Sequence, residues 1–449
     1  METQLLLPNG DESPINWVLV LETLERLTSQ CQDEGSRSKI NTENFRNLGQ
    51  FLPQITKEEN SRYDVLVMAF RFLRNSVAAC ERNQDAIRQD STVFEVTANF
   101  LQLEGQPETT SNFVGDSSDR VVAIRCALQF LANFIVENET NAVLMSSVFS
   151  THIVPLHKNF HQDEKVVQYI AMILHLLLKQ CPANITVDQE LLSSLLQNLH
   201  LEFVIYAMES LVAQVGVLGS LYEDAEPKLR IQLLTFLNER ADVLNNLNEK
   251  VVTMLRDNFV ERSDFILKSK VGDSDDVFSW EIAILLETLC GISATGNELL
   301  KSDSVLMTTV LFLLRQIQEV GKSTDGMNEN AFAPVEDLQK LTSKSTTQSS
   351  VDDIRAHPTF QFKAHLIRLI ANISHRSKSN QDLVRELECL PIILDNCKID
   401  ARNPFIGQWS VLAIRNLCEG NDTNQLYIRE VQRIDTEKLL PKLELVDLS

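Results

Sequence analysis

Four asparagines occupy equivalent places in the chain, each near the end of an apolar helical segment: Asn75, Asn133, Asn372 and Asn416. A side-chain amide offers both a hydrogen-bond donor and an acceptor, so it can match the N–H and C=O groups of an extended peptide. Equivalent positions of stacked helices form a row along one face, which predicts a row of peptide-binding amides. The alternative interpretation is that each asparagine bonds the turn that leaves its own helix.

Arginines accompany this row. Arg71 and Arg368 lie four residues before a row asparagine, while Arg74 and Arg415 lie one residue before it. These side chains either line the same groove or are simply solvated. The candidate partner-binding set is therefore Asn75, Asn133, Asn372, Asn416, Arg71, Arg368 and Arg415.

Sequence motifs for catalysis are absent. The chain contains no GxxxxGK[ST] loop, no glycine-rich dinucleotide turn and no GxSxG elbow. His157 and His161 are spaced to face one metal ion from a helix, with His152 or Asp163 as a third ligand, but a closed site needs three or four placed ligands. No cysteine has a recognisable histidine partner. We predict a protein that is not an enzyme and that holds no metal or cofactor.

The row asparagines belong to a repeated unit. Residues 365–386 read HLIRLIANISHRSKSNQDLVRE and residues 409–430 read WSVLAIRNLCEGNDTNQLYIRE, 44 residues later. A second asparagine follows eight residues after the first, and then a glutamine, an aliphatic residue and an arginine. The same frame starts at Asn75 and, with substitutions, at Asn133. A period near 44 residues is typical of stacked armadillo or HEAT repeats.

Local signals within the repeat support helices. Five apolar residues fall on one helical face: Phe362, Leu366, Leu369, Ile370 and Ile373. The second asparagine of each unit is placed to cap the N-terminus of the next helix. Leu390-Pro391 predicts a helix start, and Asn403-Pro404 predicts a cap followed by proline at the first helical position. The predicted fold class is all-α, an armadillo/HEAT-like right-handed α-solenoid of stacked helical repeats.

Composition narrows the partners and the compartment. The 449 residues carry a net charge of −21, which argues against nucleic acid because binding phosphates requires a basic face. No basic patch or long apolar run predicts membrane insertion, and the N-terminal stretch lacks the features of a signal peptide. Eight dispersed cysteines, several in apolar helical runs, predict buried free thiols in a reducing compartment. The chain is expected to be cytoplasmic.

Composition also divides the chain into five predicted segments. Residues 1–60 form an N-terminal helical cap, with a break at Pro53, and residues 61–320 form armadillo-like repeats. Residues 321–358 are a flexible loop rich in serine and threonine. Residues 359–430 are the C-terminal repeats, and residues 431–449 are an acidic tail that is expected to cover the end of the last repeat.

The C-terminal repeats resemble the C-terminal domain of the ataxin-10 family. The shared pieces are HLIRLI-N, NQD-x-V-R, LP-x-ILDNC, NPF and AIRNL, all within Phe362 to Gln425. NSVAACERNQ, which starts at Asn75, is similar to the family's first repeats. The resemblance implies a cytoplasmic armadillo-repeat interaction protein without catalytic activity. It also implies roles in neuron survival and neurite growth, in cell division including cytokinesis, and in cilia.

Two functions follow from this pattern. The first is a scaffold that binds partner proteins, of unknown identity, in the groove of the repeats, with a homo-oligomer left open. The alternative is an exchange factor or chaperone-like regulator of a GTP-binding protein. A scaffold leaves the partner's nucleotide turnover unchanged, whereas an exchange factor accelerates nucleotide release at substoichiometric amounts.

Overall fold

The computed structural model describes residues 15–56, 62–106, 117–182, 185–214, 217–269, 276–322, 330–334 and 354–431. Helices are the only regular secondary structure in these ranges. The chain divides into two compact units, Met1–Leu221 and Tyr222–Ser449. Most of the predicted loop at 321–358 and all but the first residue of the predicted tail at 431–449 lie outside the described residues.

The first unit consists of short and long helices. Its helices are α1 (Trp17–Ser29), α2 (Glu34–Arg37), α3 (Glu43–Thr56), α4 (Tyr63–Val77), α5 (Glu81–Asp90), α6 (Thr92–Glu104), α7 (Ser117–Ile135), α8 (Glu139–Val148), α9 (Leu156–Phe160), α10 (Glu164–Gln180), α11 (Gln189–Gln197) and α12 (Glu202–Val212). A π-helical turn, Phe149–Ile153, lies between α8 and α9. Helix α13 (Val217–Asp224) contains the boundary between the units.

The second unit also consists of short and long helices. Its helices are α14 (Pro227–Asn238), α15 (Ala241–Asn245), α16 (Glu249–Arg262), α17 (Val277–Ser293), α18 (Glu298–Lys301), α19 (Ser304–Lys322), α20 (Phe362–Ser374), α21 (Lys378–Glu386), α22 (Leu390–Asp395) and α23 (Ile406–Cys418). A 3₁₀ turn, Ser263–Lys268, follows α16. The final helix, α24, covers residues 422–431.

The long helices stack in chain order within each unit. In the first unit α1, α4, α7, α10 and α12 each pack on the next, and in the second unit α14, α17, α20 and α23 do the same. A second layer covers them, as where α3 packs on α6 and α19 on α20. All five residues of the predicted face in α20 are buried. The prediction of an all-α fold of stacked helical repeats is confirmed, and the five-segment division stays a prediction.

The turn that follows a row asparagine uses the same backbone conformation in all four repeats. The residue four positions after a row asparagine has a positive φ in all four repeats: Ala79, Glu137, Arg376 and Gly420, at 49°, 55°, 52° and 66°. This left-handed conformation is unfavourable for residues that carry a Cβ. Only the last repeat uses glycine, so the surrounding contacts must hold the other three turns in place.

Three local predictions are wrong. Pro53 does not break the chain but lies within α3. Asn403-Pro404 does not open a helix: α23 begins two residues later, at Ile406, and Phe405 is its N-cap. The Asn403 side chain instead accepts a bond from the Ala364 N–H at 3.2 Å, which ties the turn before α23 to α20.

The second asparagine of the repeat is not an N-cap either. It lies inside the short helix, three residues beyond the capping position. In the repeat of Asn133, for example, the cap is Asn138, whose side-chain oxygen accepts a bond from the Asn141 N–H at 3.1 Å. The repeat of Asn416 is capped in the same way by Asn421, whereas the N-caps of the other two repeats, Cys80 and Ser377, make no side-chain cap bond.

Candidate functional site

Row asparagines connect neighbouring long helices. Nδ2 of Asn133 in α7 donates to the carbonyl oxygen of Arg74 in α4 at 3.1 Å. Nδ2 of Asn416 in α23 donates to the carbonyl oxygen of Ala371 in α20 at 2.9 Å. In both cases the acceptor is the residue just before the row asparagine of the preceding repeat. The amide hydrogens are therefore used to hold one repeat against the previous one.

The other two row asparagines are bonded differently. Nδ2 of Asn372 donates to the carbonyl oxygen of Cys290 at 3.2 Å and to Oγ of Ser293 at 3.0 Å, both in α17. Oδ1 of Asn75 accepts a bond from Nε of its neighbour Arg74 at 2.9 Å. Asn372 thus reaches the preceding repeat, as the asparagines of α7 and α23 do.

Glutamines return this contact in the opposite direction. Nε2 of Gln84 donates to the carbonyl oxygen of Asn133 at 2.8 Å, and Nε2 of Gln381 donates to that of Asn416 at 2.9 Å. Gln381 also reaches the carbonyl oxygen of Glu419 at 3.1 Å. We call each reciprocal pair, Asn133 with Gln84 and Asn416 with Gln381, an inter-repeat clasp. One amide reaches back and the other reaches forward, so each clasp fixes two helix ends.

The second asparagines support the turn from within their own repeat. Each is buried and donates its amide to the carbonyl oxygen seven residues earlier, at the end of the long helix. The pairs are Asn83 to Ser76, Asn141 to Phe134, Asn380 to Ile373 and Asn424 to Leu417, at 2.8–2.9 Å. Because the last carbonyls of a helix lack helical partners, these bonds supply donors to carbonyl oxygens that would otherwise have no hydrogen-bond partner.

The structure separates the two interpretations of the row. The bond to the turn of the same repeat exists, but the second asparagine makes it. Asn133, Asn372 and Asn416 bond the preceding repeat instead, so the alternative interpretation is wrong for these three residues. Their side-chain oxygens accept no bond from another residue that the structure describes. Partner binding by the row stays a prediction that concerns these oxygens rather than the amide hydrogens.

The candidate arginines have different environments. Arg71 and Arg415 are exposed. The only side-chain contact of Arg71 among the described residues is a distant approach to Sδ of Met68, at 3.9 Å. Arg368 is half-buried, with its guanidinium 5.0 Å from the ring centre of Trp409 in the next repeat. This is a cation–π contact, which fixes the charge at a defined place on the surface of the second unit.

Burial shifts the pKa of two groups close to Arg368, Glu287 and His365. Burial raises the pKa of Glu287, and the nearby Arg368 charge opposes that rise. Burial, with a smaller contribution from Arg368, lowers the pKa of His365 to about 4. His365 is therefore neutral at physiological pH.

The seven candidate residues are divided between the two units. Asn75, Asn133 and Arg71 belong to the first unit, and the other four belong to the second. Sequence reasoning missed the two clasp glutamines, although their recurrence directly after the second asparagine was a usable signal. It also missed the pairing of Arg368 with Trp409, because no local pattern joins residues of neighbouring repeats.

Groups that could support chemistry are dispersed. His157 is buried with Nδ1 against the carbonyl oxygen of Val154, whereas His161 is exposed. Among the described residues, no group of three or more histidine, cysteine, aspartate or glutamate side chains could hold a metal ion. Burial raises the pKa of the Cys290 thiol to about 12, which makes it a poor nucleophile.

No single helix in the described ranges has both the length and the apolar character to cross a membrane. Helices α12 and α13 pass that test only when they are taken together, and they are bent by 100° at the break between them.

Stacked helices joined by backbone-directed amides define a class of protein, the all-α helical-repeat solenoid. The sequence model of the spinocerebellar ataxia type 10 protein domain matches residues 362–445. The chain is 28% identical to ataxin-10 of Xenopus tropicalis over 387 residues, which covers 81% of this chain and 74% of that protein.

Further relatives extend the same result. Ataxin-10 of Homo sapiens is 27% identical over 395 residues, covering 83% of this chain and 77% of that protein. The ataxin-10 homolog of Dictyostelium discoideum is 49% identical over 71 residues, covering 16% of this chain and 12% of that protein. The chain is similar to ataxin-10 proteins over most of its length, so the resemblance noted in the C-terminal motifs is confirmed.

Solved structures show only a distant likeness. An engineered protein shares 14% identity, covering 88% of this chain and 94% of that chain, with a TM-score of 0.34. A chain from a study of the interaction between cadherin and beta-catenin also shares 14% identity, covering 92% of this chain and 69% of that chain, with a TM-score of 0.37.

Proposed function

We propose that this protein is a scaffold that binds partner proteins in the cytoplasm on the exposed face of its long helices. The observation that supports the proposal most directly is the pairing of an arginine with a row asparagine four residues later. Residues at i and i+4 share one face of a helix, as Arg71 and Asn75 do in α4 and Arg368 and Asn372 do in α20.

This face offers a partner both donors and acceptors. Each guanidinium presents several N–H groups, and the row oxygens of Asn133 and Asn372 accept no bond within the described residues. In the first unit the face continues as a polar strip, because Nη1 of Arg74 donates to Oε1 of Gln129 at 2.7 Å and Gln129 in turn bonds Tyr169. Such a strip suits an extended polar segment better than an apolar helix. We further propose that the bound partners serve the roles in neurons, cytokinesis and cilia that the family resemblance implies.

The test uses the full purified chain as bait in cytosolic extract, with crosslinking and mass spectrometry. Arg71→Glu and Arg368→Glu reverse the charge on the proposed face in each unit, and Arg26→Glu on the exposed part of α1 is the matched control. Circular dichroism checks that the variants keep their helical content. We expect specific partners to be lost in the face variants and retained in the control.

One result would contradict the proposed binding face, and another would contradict the scaffold function. If the same partners bind all three variants equally, the arginine–asparagine face is not the binding surface. If a recovered GTP-binding protein releases its nucleotide faster in the presence of substoichiometric chain, the alternative function of an exchange factor replaces the scaffold. The second result is measured with a fluorescent nucleotide on the purified pair.

A further inference from the structure

The last repeat presents an uncovered apolar surface. Ile399, Phe405, Val411 and Leu426 are 83%, 65%, 63% and 59% exposed. The first three line an open cavity of about 670 Å³. We call these four residues the end face. Isolated exposed apolar residues are ordinary, but three that line one cavity mark a contact surface.

The preceding repeat shows what such a surface is built to contact. The residue equivalent to Val411, 44 positions earlier, is Ile367, which is fully buried where α23 packs on α20. Gln361 is the equivalent of Phe405, and its N–H donates to the carbonyl oxygen of Arg402 in the next repeat at 2.9 Å. The end face therefore has the position of a repeat-docking surface on which no described repeat is packed.

The hydrogen bonds give the same result. Nε2 of Gln381 reaches two carbonyl oxygens of the following repeat, those of Asn416 and Glu419. Its equivalent Gln425 donates only to the carbonyl oxygen of Cys418 in its own repeat, at 2.9 Å. The forward half of the clasp has no acceptor from a next repeat among the described residues. A terminal repeat in this condition needs a cover with a polar outer surface.

We propose that residues 432–449 of the same chain cover the end face. The segment follows α24 directly, and Leu426 of the end face lies on that helix. Eighteen residues can extend to roughly 60 Å, three times the roughly 20 Å length of a 13-residue helix such as α23, so reach does not limit the contact. The ataxin-10 domain match continues to residue 445, fourteen residues beyond the last described one.

The composition of the segment fits this role. It contains Leu439, Leu440, Leu443, Leu445, Val446 and Leu448 among charged residues, which allows one apolar and one polar side. Leu440-Pro441 repeats the Leu390-Pro391 pair that begins α22. In α22 the side chains of Leu390 and Ile393 are buried, and the helix packs on α23. The segment therefore carries the signal that starts a short packing helix in the repeat before it.

The contact is tested by photocrosslinking in the full purified chain. The crosslinking amino acid p-benzoylphenylalanine replaces Val411 on the end face or, as a control, the similarly exposed Val305 of α19. After illumination and digestion, we expect position 411 to give crosslinks within one chain to peptides from residues 432–449 and position 305 to give none. Crosslinks only between two chains would assign the end face to a second copy and overturn the proposal. Absence of adducts with residues 432–449 would overturn it as well.

Hydrogen exchange provides a second readout. We compare the full chain with a chain that ends at Val431 and with the double variant Leu440→Asp/Leu443→Asp. Both changes should speed amide exchange in α23 and α24 at least severalfold while leaving the first unit unchanged. The double variant keeps the test valid if the shortened chain does not fold. Exchange in α23 and α24 that equals that of the full chain would show that residues 432–449 do not cover them.

Discussion

Replacing Gln381 with leucine tests the inter-repeat clasp. Gln381 is buried, and its amide nitrogen bonds the carbonyl oxygens of Asn416 and Glu419. Its side-chain oxygen accepts a third bond from Nδ2 of Asn421 at 3.2 Å. Leucine keeps most of the volume but makes none of these bonds. At about 1 kcal/mol for each lost hydrogen bond, the last repeat should lose about 3 kcal/mol of its stability.

Gln425→Leu is the matched control. The residue type and repeat position are the same, but Gln425 is half-buried and donates only to Cys418 of its own repeat. One partly exposed bond is worth about 1 kcal/mol or less. The comparison therefore separates the forward contact from the general effect of removing a glutamine at this position.

The assay is amide hydrogen exchange of α23 in the full chain. A local readout is needed because a chain with two units need not unfold in one step. A loss of about 3 kcal/mol should accelerate exchange through local opening by about 100-fold, since each 1.4 kcal/mol is a factor of ten. Equal acceleration by Gln381→Leu and Gln425→Leu would refute the clasp as a stabilising contact between repeats.

Four further predictions concern single sites. Leu369→Asp places a charge at a fully buried position of α20 and should unfold the C-terminal repeats, seen as lost helical circular dichroism, since an unpaired buried charge costs several kcal/mol. Gly420→Ala should lower the free energy of unfolding in urea by about 1 kcal/mol, and Arg376→Gly should raise it by a similar amount, because both residues have positive φ. Steric contact does not contribute at Gly420, since no atom lies within 4 Å of a Cβ placed there. His365→Gln should reduce the loss of stability in acid. The pKa of His365 is about 4 in the folded chain and about 6.5 in the unfolded chain, so between these pH values only the unfolded state binds the proton. The unfolding free energy of the wild type therefore falls by up to about 1.4 kcal/mol per pH unit as pH decreases through this range. Cys397 is the exposed thiol among the eight and should be alkylated first in the native chain, as mass spectrometry of a time course would show.

A different result would contradict each of these four predictions. An unchanged dichroism melt for Leu369→Asp would remove α20 from the core. Matching signs for Gly420→Ala and Arg376→Gly would mean that backbone conformation does not control the turn. Parallel pH profiles of wild type and His365→Gln would place the acid sensitivity at another group. Alkylation of Cys290 as fast as Cys397 would contradict the burial of the former.

Much of the fold was predictable because the same residue spacing occurs in two copies, residues 365–386 and 409–430. The spacing of Asn372, Asn380 and Gln381 against Asn416, Asn424 and Gln425 specified equivalent helices 44 residues apart, and the apolar face of α20 is buried as its periodicity predicts. These features depend on residues close in sequence, where helical geometry relates spacing to direction.

The bonds of the candidate site were not predictable in the same way. The acceptor of the Asn416 amide is a backbone carbonyl 45 residues earlier, and every residue has a carbonyl, so no residue type marks the partner. The positive φ of Glu137 and Arg376 gave no signal, because glycine occupies that position only in the repeat of Gly420. Pro53 was misread since its neighbours in α3 outweigh its own preference.

The inter-repeat clasp has a consequence for how the stack can change. Each clasp amide donates its hydrogens to main-chain carbonyls, so this part of the contact places no demand on the side chains of the repeat beside it. The side-chain requirement of the contact is the asparagine that donates to each clasp glutamine. Neighbours can exchange surface residues freely while the register between them is kept by groups that no mutation removes. Surface residues can therefore change one repeat at a time without disturbing the hydrogen bonds that join neighbouring repeats.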